Sequence, residues 1–161
     1  MGRYIVPGSV IALSTAFKTG LQAYATSGAT RRGFLMGIDI SQIGAPSGTD
    51  CQIQYDIPRI TVGSTSMTTY TPNDVSGGAD AAAAMTAGIG STGSTEPTVM
   101  ANSQLFNRGI NQRNSFRWDA NDRLAALIFP ASAGAGIAGR AQCTVAAAFA
   151  GTGLQTFTFE E

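Results

Sequence analysis

Two segments with alternating residues decide the fold class: "GFLMGIDISQIG" at residues 33–44 and "CQIQYDI" at residues 51–57. In the first, one face carries the apolar side chains of Phe34, Met36, Ile38 and Ile40. In the second, the apolar face consists of Cys51, Ile53, Tyr55 and Ile57, and the other face carries Gln52, Gln54 and Asp56. Because successive side chains of an extended strand point to opposite faces, this period of two predicts a half-buried β-strand in each segment.

Further strands are predicted where short apolar stretches lie between clusters of Gly, Pro, Ser or Asn. These strands are Leu21–Ala25, Ser66–Thr71, Phe116–Ala120, Leu124–Phe129, Ala141–Ala150 and Thr156–Glu160. Pro58 lacks a backbone donor, so the strand that starts at Cys51 is expected to end there or to lie near a sheet edge. The segment "RLAALIF" at residues 123–129 is apolar on both faces, which is typical of a strand at the centre of a molecule.

One short helix is predicted over Ala79–Ala87, "ADAAAAMTA", because alanine has the highest helix propensity and glycines flank the segment. The following "GIGSTGST" at residues 88–95 has low complexity and is predicted to be a flexible connection. Many short strands with one small helix predict an all-β protein. The expected fold is an antiparallel, jelly-roll-like β-sandwich that forms a single domain over residues 1–161.

The composition excludes several classes of protein. Charged residues make up 12% of the chain, about half the usual share of roughly 25%. The formal net charge is zero and the basic residues are dispersed, so nucleic acid is not an expected partner. No apolar stretch reaches the length of a membrane span, and Pro7-Gly8 interrupts the first apolar run, so we expect no membrane segment and no signal peptide. A soluble cytoplasmic product is then the default expectation. The near-zero net charge gives little electrostatic protection against self-association, so a regular assembly is expected.

The two cysteines, Cys51 and Cys143, both occupy apolar-face positions of predicted strands. The favoured interpretation is a pair of buried free thiols, because free cysteine behaves as a small apolar residue. A disulfide is the alternative, and it requires that the two strands adjoin in an oxidising compartment.

Histidine is absent from the chain. This absence removes Ser-His-Asp and Cys-His catalysis and every metal site that needs imidazole. Two distant cysteines form no zinc site and no carboxylate run has calcium-loop spacing, so we assign no catalytic, cofactor or metal residue and expect no enzyme. A pair of carboxylates of the glycosidase type is the remaining catalytic alternative.

The motif "GAGIAG", Gly134–Gly139, matches the G-x-G-x-x-G pattern of dinucleotide-binding loops and follows an apolar segment. Only 22 residues follow Gly139, too few for the rest of such a domain. A hairpin loop of small residues is therefore the favoured interpretation, in which the glycines provide backbone freedom.

The segment "NSFRWDAND" at residues 114–122 holds the one tryptophan of the chain. Phe116 and Trp118 share one face of the predicted strand, and Arg117 and Asp119 share the other. The sequence "DAND" then predicts a turn, so this strand and the next are expected to form a β-hairpin. Trp118 is predicted to be a core or interface aromatic, and a sugar-binding platform is the alternative.

The start of the chain, "GRYIVPGSVIAL" at residues 2–13, has two interpretations. It is either an edge strand interrupted by Pro7-Gly8, or part of an arm within residues 1–15 that docks on a neighbouring molecule. Exposed Tyr4, Ile5 and Val6 would be costly on the surface of a monomer, so docking is favoured.

The order of segments resembles that of the small decoration, or cement, proteins of tailed-phage capsids. The resemblance lies in "RYIVPGSVIALST", "ATRRGFLMGIDIS", "GADAAAAMTAG", "TEPTVM", "NSFRWDANDRLAAL" and "TFTFEE", which together span most of the chain. It implies a structural virion protein that lies on the capsid exterior, is made in the host cytoplasm, binds the major capsid protein and forms a homotrimer. The expected contact residues are Arg3, Tyr4, Ile5, Val6 and Trp118. A head-fibre or lectin-like adhesin module is the alternative function.

Overall fold

The computed structural model describes residues 2–9, 11–26, 32–44, 51–75, 85–90, 95–143 and 152–161. Within these ranges the protein is all-β and contains no helix, and its strands form two antiparallel sheets. The strands are β1 (Arg3–Pro7), β2 (Ile11–Ala12), β3 (Lys18–Ala25), β4 (Gly33–Ile43), β5 (Gln52–Val62), β6 (Thr68–Tyr70), β7 (Asn73–Asp74), β8 (Met85–Ile89), β9 (Thr98–Asn111), β10 (Phe116–Asp119), β11 (Leu127–Phe129), β12 (Gly136–Cys143) and β13 (Thr152–Glu160).

In the described part of the chain the first sheet has seven strands, in the order β10-β4-β13-β1-β7, with β11 paired to β4 and β2 paired to β13. The second sheet has six strands among the same residues, in the order β6-β8-β3-β12-β5-β9. One hydrophobic core unites them. The seven-stranded sheet contributes Tyr4, Val6, Leu35, Ile38, Ile40, Phe157 and Phe159, and the six-stranded sheet contributes Leu21, Ala23, Ala25, Ile53, Tyr55, Ile57, Met85, Ala87, Ile110, Ile137 and Ala141.

The strands with clear alternation are confirmed. β4 and β5 contain the two segments of alternating residues, and β3 and β13 contain the predicted strands at residues 21–25 and 156–160. The strand predicted at residues 66–71 is shorter, since β6 covers Thr68–Tyr70. The strand predicted at residues 141–150 is confirmed as far as Cys143, and residues 144–150 lie outside the described part of the chain.

A register shift corrects the predicted inner face of β4. Thr158 of β13 pairs with Gly37, but the next residue, Phe159, pairs with Leu35, so Met36 is the extra residue of a bulge. The bulge reverses the alternation beyond it. Leu35 is therefore fully buried in the core, and Phe34, predicted to face inward, is only partly buried.

Pro58 does not end its strand, and the strand lies next to the edge strand β9, which agrees with the second alternative of the prediction. β5 continues to Val62 and lies between β12 and β9. The pairing with β9 changes register between Ile57 and Pro58 and again between Pro58 and Ile60. Because a bulge leaves a residue outside the regular ladder, the missing N–H of proline is tolerated in an internal strand.

The predicted hairpin at residues 116–129 is wrong. β10 and β11 do not pair with each other, because each pairs with β4, at Gly37–Ile40 and at Gly33–Leu35 respectively. The strand predicted from Leu124 begins only at Leu127 and does not lie at the centre of the molecule. Leu124 itself is 97% exposed, so two apolar faces did not indicate burial here.

The predicted alanine-rich helix is wrong where the structure describes it. Met85–Ile89 forms strand β8, which pairs with β3 from Ala25 to Leu21, and residues 79–84 lie outside the described part of the chain. The same strand contains Gly88 and Ile89, the start of the predicted flexible connection. A Cβ atom at Gly88 would lie 2.5 Å from Nε2 of Gln22 on β3, so glycine suits this pairing. Sheet pairing here outweighs intrinsic helix propensity.

The glycine motif leads into a strand and not into a nucleotide-binding helix. Gly134 has a positive φ of 77° in the turn, and β12 begins at Gly136. The turn joins β11 of one sheet to β12 of the other, so it is a crossover between sheets and not a hairpin loop.

Cys51 and Cys143 form a disulfide, which overturns the favoured interpretation of free thiols. Cys143 pairs with Ile53 in the ladder between β12 and β5, so the residues just before Ile53 lie beside the end of β12. The Cα atoms of the two cysteines are 7.1 Å apart, and both residues are buried.

Candidate interaction surface

The outer face of the seven-stranded sheet carries a cluster of charged side chains. Its members, which we call the charged face, are Arg3, Asp39, Arg117, Asp119, Arg123 and Glu160. Strand alternation explains the position of the five members that lie in strands, because the neighbouring residues Tyr4, Ile38 and Phe159 point into the core. Arg123 reaches the same face from the loop between β10 and β11. Three guanidinium groups and three carboxylates give this surface no net charge.

The first half of the charged face is centred on Arg117. Its Nε donates to Asp119 Oδ2 at 2.6 Å and its Nη2 donates to Asp119 Oδ1 at 3.2 Å, which is a bidentate contact. Asp39 lies directly across from Arg117 in the ladder between β10 and β4, with 3.8 Å between Nε and Oδ1. The side chains of Arg117 and Asp39 are 67% and 48% exposed, so a partner molecule could reach both.

The second half of the charged face is centred on Glu160. Arg123 Nε donates to Glu160 Oε2 at 3.0 Å, and Arg3 Nε lies 3.9 Å from Glu160 Oε1. Arg123 also donates to the backbone oxygen of Glu161 at 3.2 Å, and its Cζ lies 4.5 Å from the centroid of the Phe34 ring. These contacts fix the Arg123 guanidinium on the sheet, whereas Arg3 is half exposed and held by one long ion pair.

The electrostatics link the two halves. The hydrogen bond from Arg117 is the largest influence on Asp119 and lowers the pKa of that carboxyl, and the more distant Arg3 guanidinium contributes in the same direction. The pKa of Arg117 is raised in turn, first by its hydrogen bond to Asp119 and then by the charge of Asp39. Both groups therefore remain charged at neutral pH.

Gly37 provides the space in which Asp119 lies over the sheet. The two residues are opposite each other in the ladder between β10 and β4. A Cβ atom at Gly37 would lie 3.0 Å from Asp119 Oδ1 and 3.5 Å from Cβ of Thr158. A side chain at this position would press on the carboxylate, so the absence of a Cβ here helps to define the charged face.

The structure separates the predicted contact residues of the first strand. β1 is an internal strand that pairs with β13 on one side and with β7 on the other. Arg3 and the partly buried Ile5 lie on the side of the charged face. Tyr4 and Val6 point the other way, into the core of their own chain, and the Tyr4 ring lies 5.5 Å from the ring of Phe159.

Trp118 points inward from β10. It lies opposite Ile38 in the ladder with β4, is partly buried and packs against the core. Phe116, on the same face, packs against Phe106 of β9 with 5.4 Å between ring centroids, and Arg108 lies 4.6 Å above the Phe116 ring. These aromatic side chains close one side of the core where the two sheets meet.

Sequence reasoning identified only part of the charged face. The alternation along residues 114–122 predicted that Arg117 and Asp119 would form an exposed face, and Arg3 was predicted as a contact residue. Glu160 and Arg123 were missed, because no local pattern indicates that residues 37 positions apart will pair. Asp39 was placed on the polar face of its strand, but its proximity to Arg117 depends on the pairing of β10 with β4.

Other features give no basis for assigning a chemical reaction. Within the described ranges, no three His, Cys, Asp or Glu side chains lie close enough together to hold a metal ion. None of the described segments forms a helix with the length and apolarity needed to span a membrane. None of the protein-family models, curated proteins or solved structures compared with this chain matches it. The resemblance to capsid decoration proteins therefore depends on the quoted sequence segments alone.

Proposed function

We propose that this protein is a structural virion protein, a capsid decoration protein that binds the outer surface of a tailed-phage head and bridges its capsid subunits. The observation that carries the proposal is the charged face. It is a neutral surface of paired side chains, and several of these remain about half exposed. Such a surface can exchange internal ion pairs for contacts with a protein partner without introducing an unpaired charge.

The fold agrees with the proposal. Most strands that are consecutive in sequence lie in different sheets, so the chain repeatedly crosses from one sheet to the other. Frequent crossing between two antiparallel sheets is typical of jelly-roll sandwiches, which are common among viral coat proteins. We therefore extend the observed two-sheet architecture to a jelly-roll-like β-sandwich as part of the proposal.

The proposed mechanism is mass action. Each copy that binds adjacent capsid subunits stabilises the assembled shell by its binding free energy, because it binds the assembled state and not the separated subunits. Copies arranged as a closed trimer would match a threefold position on the shell. Several weak contacts per trimer then combine through their high effective concentration.

Co-sedimentation with expanded heads of the encoding phage tests this function. We expect the wild-type protein to bind, and heads that lack it to release DNA at a lower temperature. Arg3→Glu reverses an exposed charge on the charged face. It should weaken capsid binding roughly tenfold or more, because the new carboxylate would repel Glu160 and any capsid carboxylate that binds Arg3. Lys18→Glu is the matched control, since Lys18 is exposed on the other sheet.

Two results would contradict the proposal. One is a wild-type protein that does not sediment with heads. The other is equal loss of binding in Arg3→Glu and Lys18→Glu. Glycan-array binding that disappears in Trp118→Ala would instead support the adhesin alternative, although Trp118 packs against the core and offers only part of its ring to solvent.

A further inference from the structure

The loop between β10 and β11 presents an apolar side chain to solvent. Leu124 is 97% exposed, well above the 56% of Val62, the next most exposed large apolar residue among those described. An exposed leucine of this kind carries a cost in water that burial against a partner would remove. Leu124 is therefore available as an anchor for a partner molecule.

The turn that carries Leu124 is held in place. Asp122 Oδ1 accepts hydrogen bonds from the backbone N–H groups of Leu124, at 2.8 Å, and Ala125, at 3.0 Å. The N–H of Ala125 also donates to the backbone oxygen of Asp122 at 3.2 Å. The intervening Arg123 is fixed by Glu160 and by the Phe34 ring. A leucine on an ordered turn loses little conformational entropy when it binds, which favours its use as an anchor.

A pocket of about 210 Å³ lies on the same molecule, lined by Arg32, Arg59, Met100, Ile128 and Pro130. Most of its exposed surface is apolar, and Met100 and Ile128 are 41% and 38% exposed. Arg59 Nη2 donates to the backbone oxygen of Ile128 at 3.4 Å, which ties the strands on either side of the pocket. A cavity of roughly 150 Å³ is enough for a benzene molecule, so this pocket has room for a leucine side chain.

We propose that Leu124 of one copy inserts into the Met100–Ile128 pocket of a second copy. Leu124 does not fill the pocket of its own chain, because it is almost fully exposed. Charge complementarity supports a second copy as the occupant. The exposed Asp122 carboxylate lies beside Leu124, and the Arg32 and Arg59 guanidinium groups lie at the pocket.

The two surfaces in this contact are different, so the contact is heterologous. Heterologous contacts form a ring when the rotation between copies closes and a filament when it does not. In a closed ring, the turn that contains Arg123 and Leu124 would lie near the interface between copies. The end of the charged face that contains Arg123 would then lie near the same interface. The inference deepens the proposed function, on which it rests for its biological purpose, by naming the contact between copies.

Light scattering on three single variants and one mixture tests the contact. We expect the wild-type protein to form oligomers, and Leu124→Asp and Met100→Asp each to be monomeric. A mixture of these two variants should form one-to-one dimers, because one supplies an intact Leu124 and the other an intact pocket. Val75→Asp, at another exposed apolar position, should associate like the wild type. Leu124→Ala should weaken association about 10- to 100-fold.

Circular dichroism and thermal unfolding of each variant verify that the fold is intact. The contact is overturned if the wild type is monomeric at the highest concentration it tolerates, if Leu124→Asp associates normally, or if the mixed variants fail to pair. Capsid co-sedimentation separates this result from the proposed function. A monomeric wild type that still binds heads overturns only the contact, whereas Leu124-dependent oligomers that never bind heads overturn only the function.

Discussion

Two arginine–aspartate pairs link neighbouring strands on the outer faces of the two sheets, and their surroundings differ. Arg117 and Asp39 are opposite each other in β10 and β4, and Arg140 and Asp56 are opposite each other in β12 and β5. In the first pair the side chains are 67% and 48% exposed. In the second they are 17% and 0% exposed. The same side-chain chemistry in the same ladder geometry is thus solvated on one sheet and enclosed on the other.

The difference comes from what covers each sheet. The Phe17 ring lies over Arg140, with 4.6 Å between Cζ and the ring centroid. Asp56 Oδ1 and Arg140 Nε are buried, and neither has a hydrogen-bond partner among the described residues. The enclosed pair therefore carries a desolvation cost, which the mutual contact of its two charges and the Phe17 ring over Arg140 offset. The exposed pair has no such constraint and can exchange its contacts with a partner protein.

The largest expected effect follows from breaking the enclosed pair. Asp56→Ala leaves the mostly buried Arg140 charge without its partner and should destabilise the protein by about 3–5 kcal/mol. Urea denaturation of wild type and variant measures this difference. Arg140→Met leaves the fully buried Asp56 unpaired and should cost a similar amount.

The double variant Asp56→Leu with Arg140→Met tests whether the two buried charges act together. Replacing both charges by apolar side chains removes the desolvation cost together with the contact, so the double variant should be much more stable than the two single losses added together predict. Additive losses would mean that the two side chains act independently and that the enclosed pair does not differ from an exposed one.

Tyr55, the neighbour of Asp56 on the core face of β5, gives a smaller effect of burial. Burial raises the pKa of its hydroxyl from 10.0 to about 12, opposed in part by a hydrogen bond with Gln42. Because Tyr55 ionises at a lower pH in the unfolded chain than in the folded one, its contribution to the free energy of unfolding is complete below pH 10.0. This contribution is lost as the pH rises through about 12. The loss should reach roughly 2–3 kcal/mol.

Denaturation at a series of alkaline pH values measures this loss. Tyr55→Phe cannot ionise, so the part of the alkaline loss that comes from this residue should be absent in the variant, although Tyr55→Phe also loses the hydrogen bond from the hydroxyl to the backbone oxygen of Ser41. Identical pH profiles for wild type and variant would show that Tyr55 is solvated in both states.

The residues of β5 and β4 show how far the sequence predicts this fold. Alternation placed Asp56 correctly on the face of β5 opposite Tyr55, because side-chain direction in a strand is a local property. It could not predict that Asp56 is enclosed, since its partner Arg140 and the Phe17 ring over Arg140 lie far away in sequence. The prediction of the inner face of β4 was wrong for a similar reason. The bulge at Met36 depends on the pairing with β13, which lies at the end of the chain.

Propensity was the weaker guide. The alanine-rich segment was predicted to be helical from alanine propensity and its flanking glycines, and its described residues, Met85–Ala87, belong to β8, which lies between β6 and β3. The apolar segment at residues 123–129 was predicted to be central, but its first apolar residue, Leu124, is almost fully exposed. Both errors arise where tertiary pairing, and not local preference, determines the conformation.

The sequence predicts only those parts of the charged face whose residues are close together in the chain. Arg117 and Asp119 are two positions apart, so alternation alone placed them on one exposed face. Their relation to Arg3 and Glu160 requires the strand order β10-β4-β13-β1, which the sequence does not contain. Such an assembled surface becomes visible only once the register of every intervening strand is known.

The smallest expected effect concerns the second carboxylate that contacts Arg117 of the exposed pair, that of Asp119 on the same strand. Asp119→Asn removes one carboxylate from the bidentate contact with Arg117, and the melting temperature at neutral pH should stay within about 2 °C of wild type, because exposed ion pairs contribute little. The pKa of Asp119 is lowered from 3.8, so its small contribution exists above that pH and is lost as the pH falls through the lowered value. Calorimetry should therefore find that the difference between wild type and variant disappears in acid.

This variant compares the exposed charges around Arg117 with the enclosed pair. A loss of stability in Asp119→Asn as large as that in Asp56→Ala would mean that the charged face supports the fold and is not free to serve a partner. A nearly unchanged melting temperature together with weaker capsid binding would mean that the charged face contributes to binding and not to the stability of the fold. Gly37→Ala provides an independent control, because its Cβ would press on Asp119 Oδ1 from 3.0 Å without removing any charge. It should reduce binding in the same direction and by less, since the flexible carboxylate can move aside.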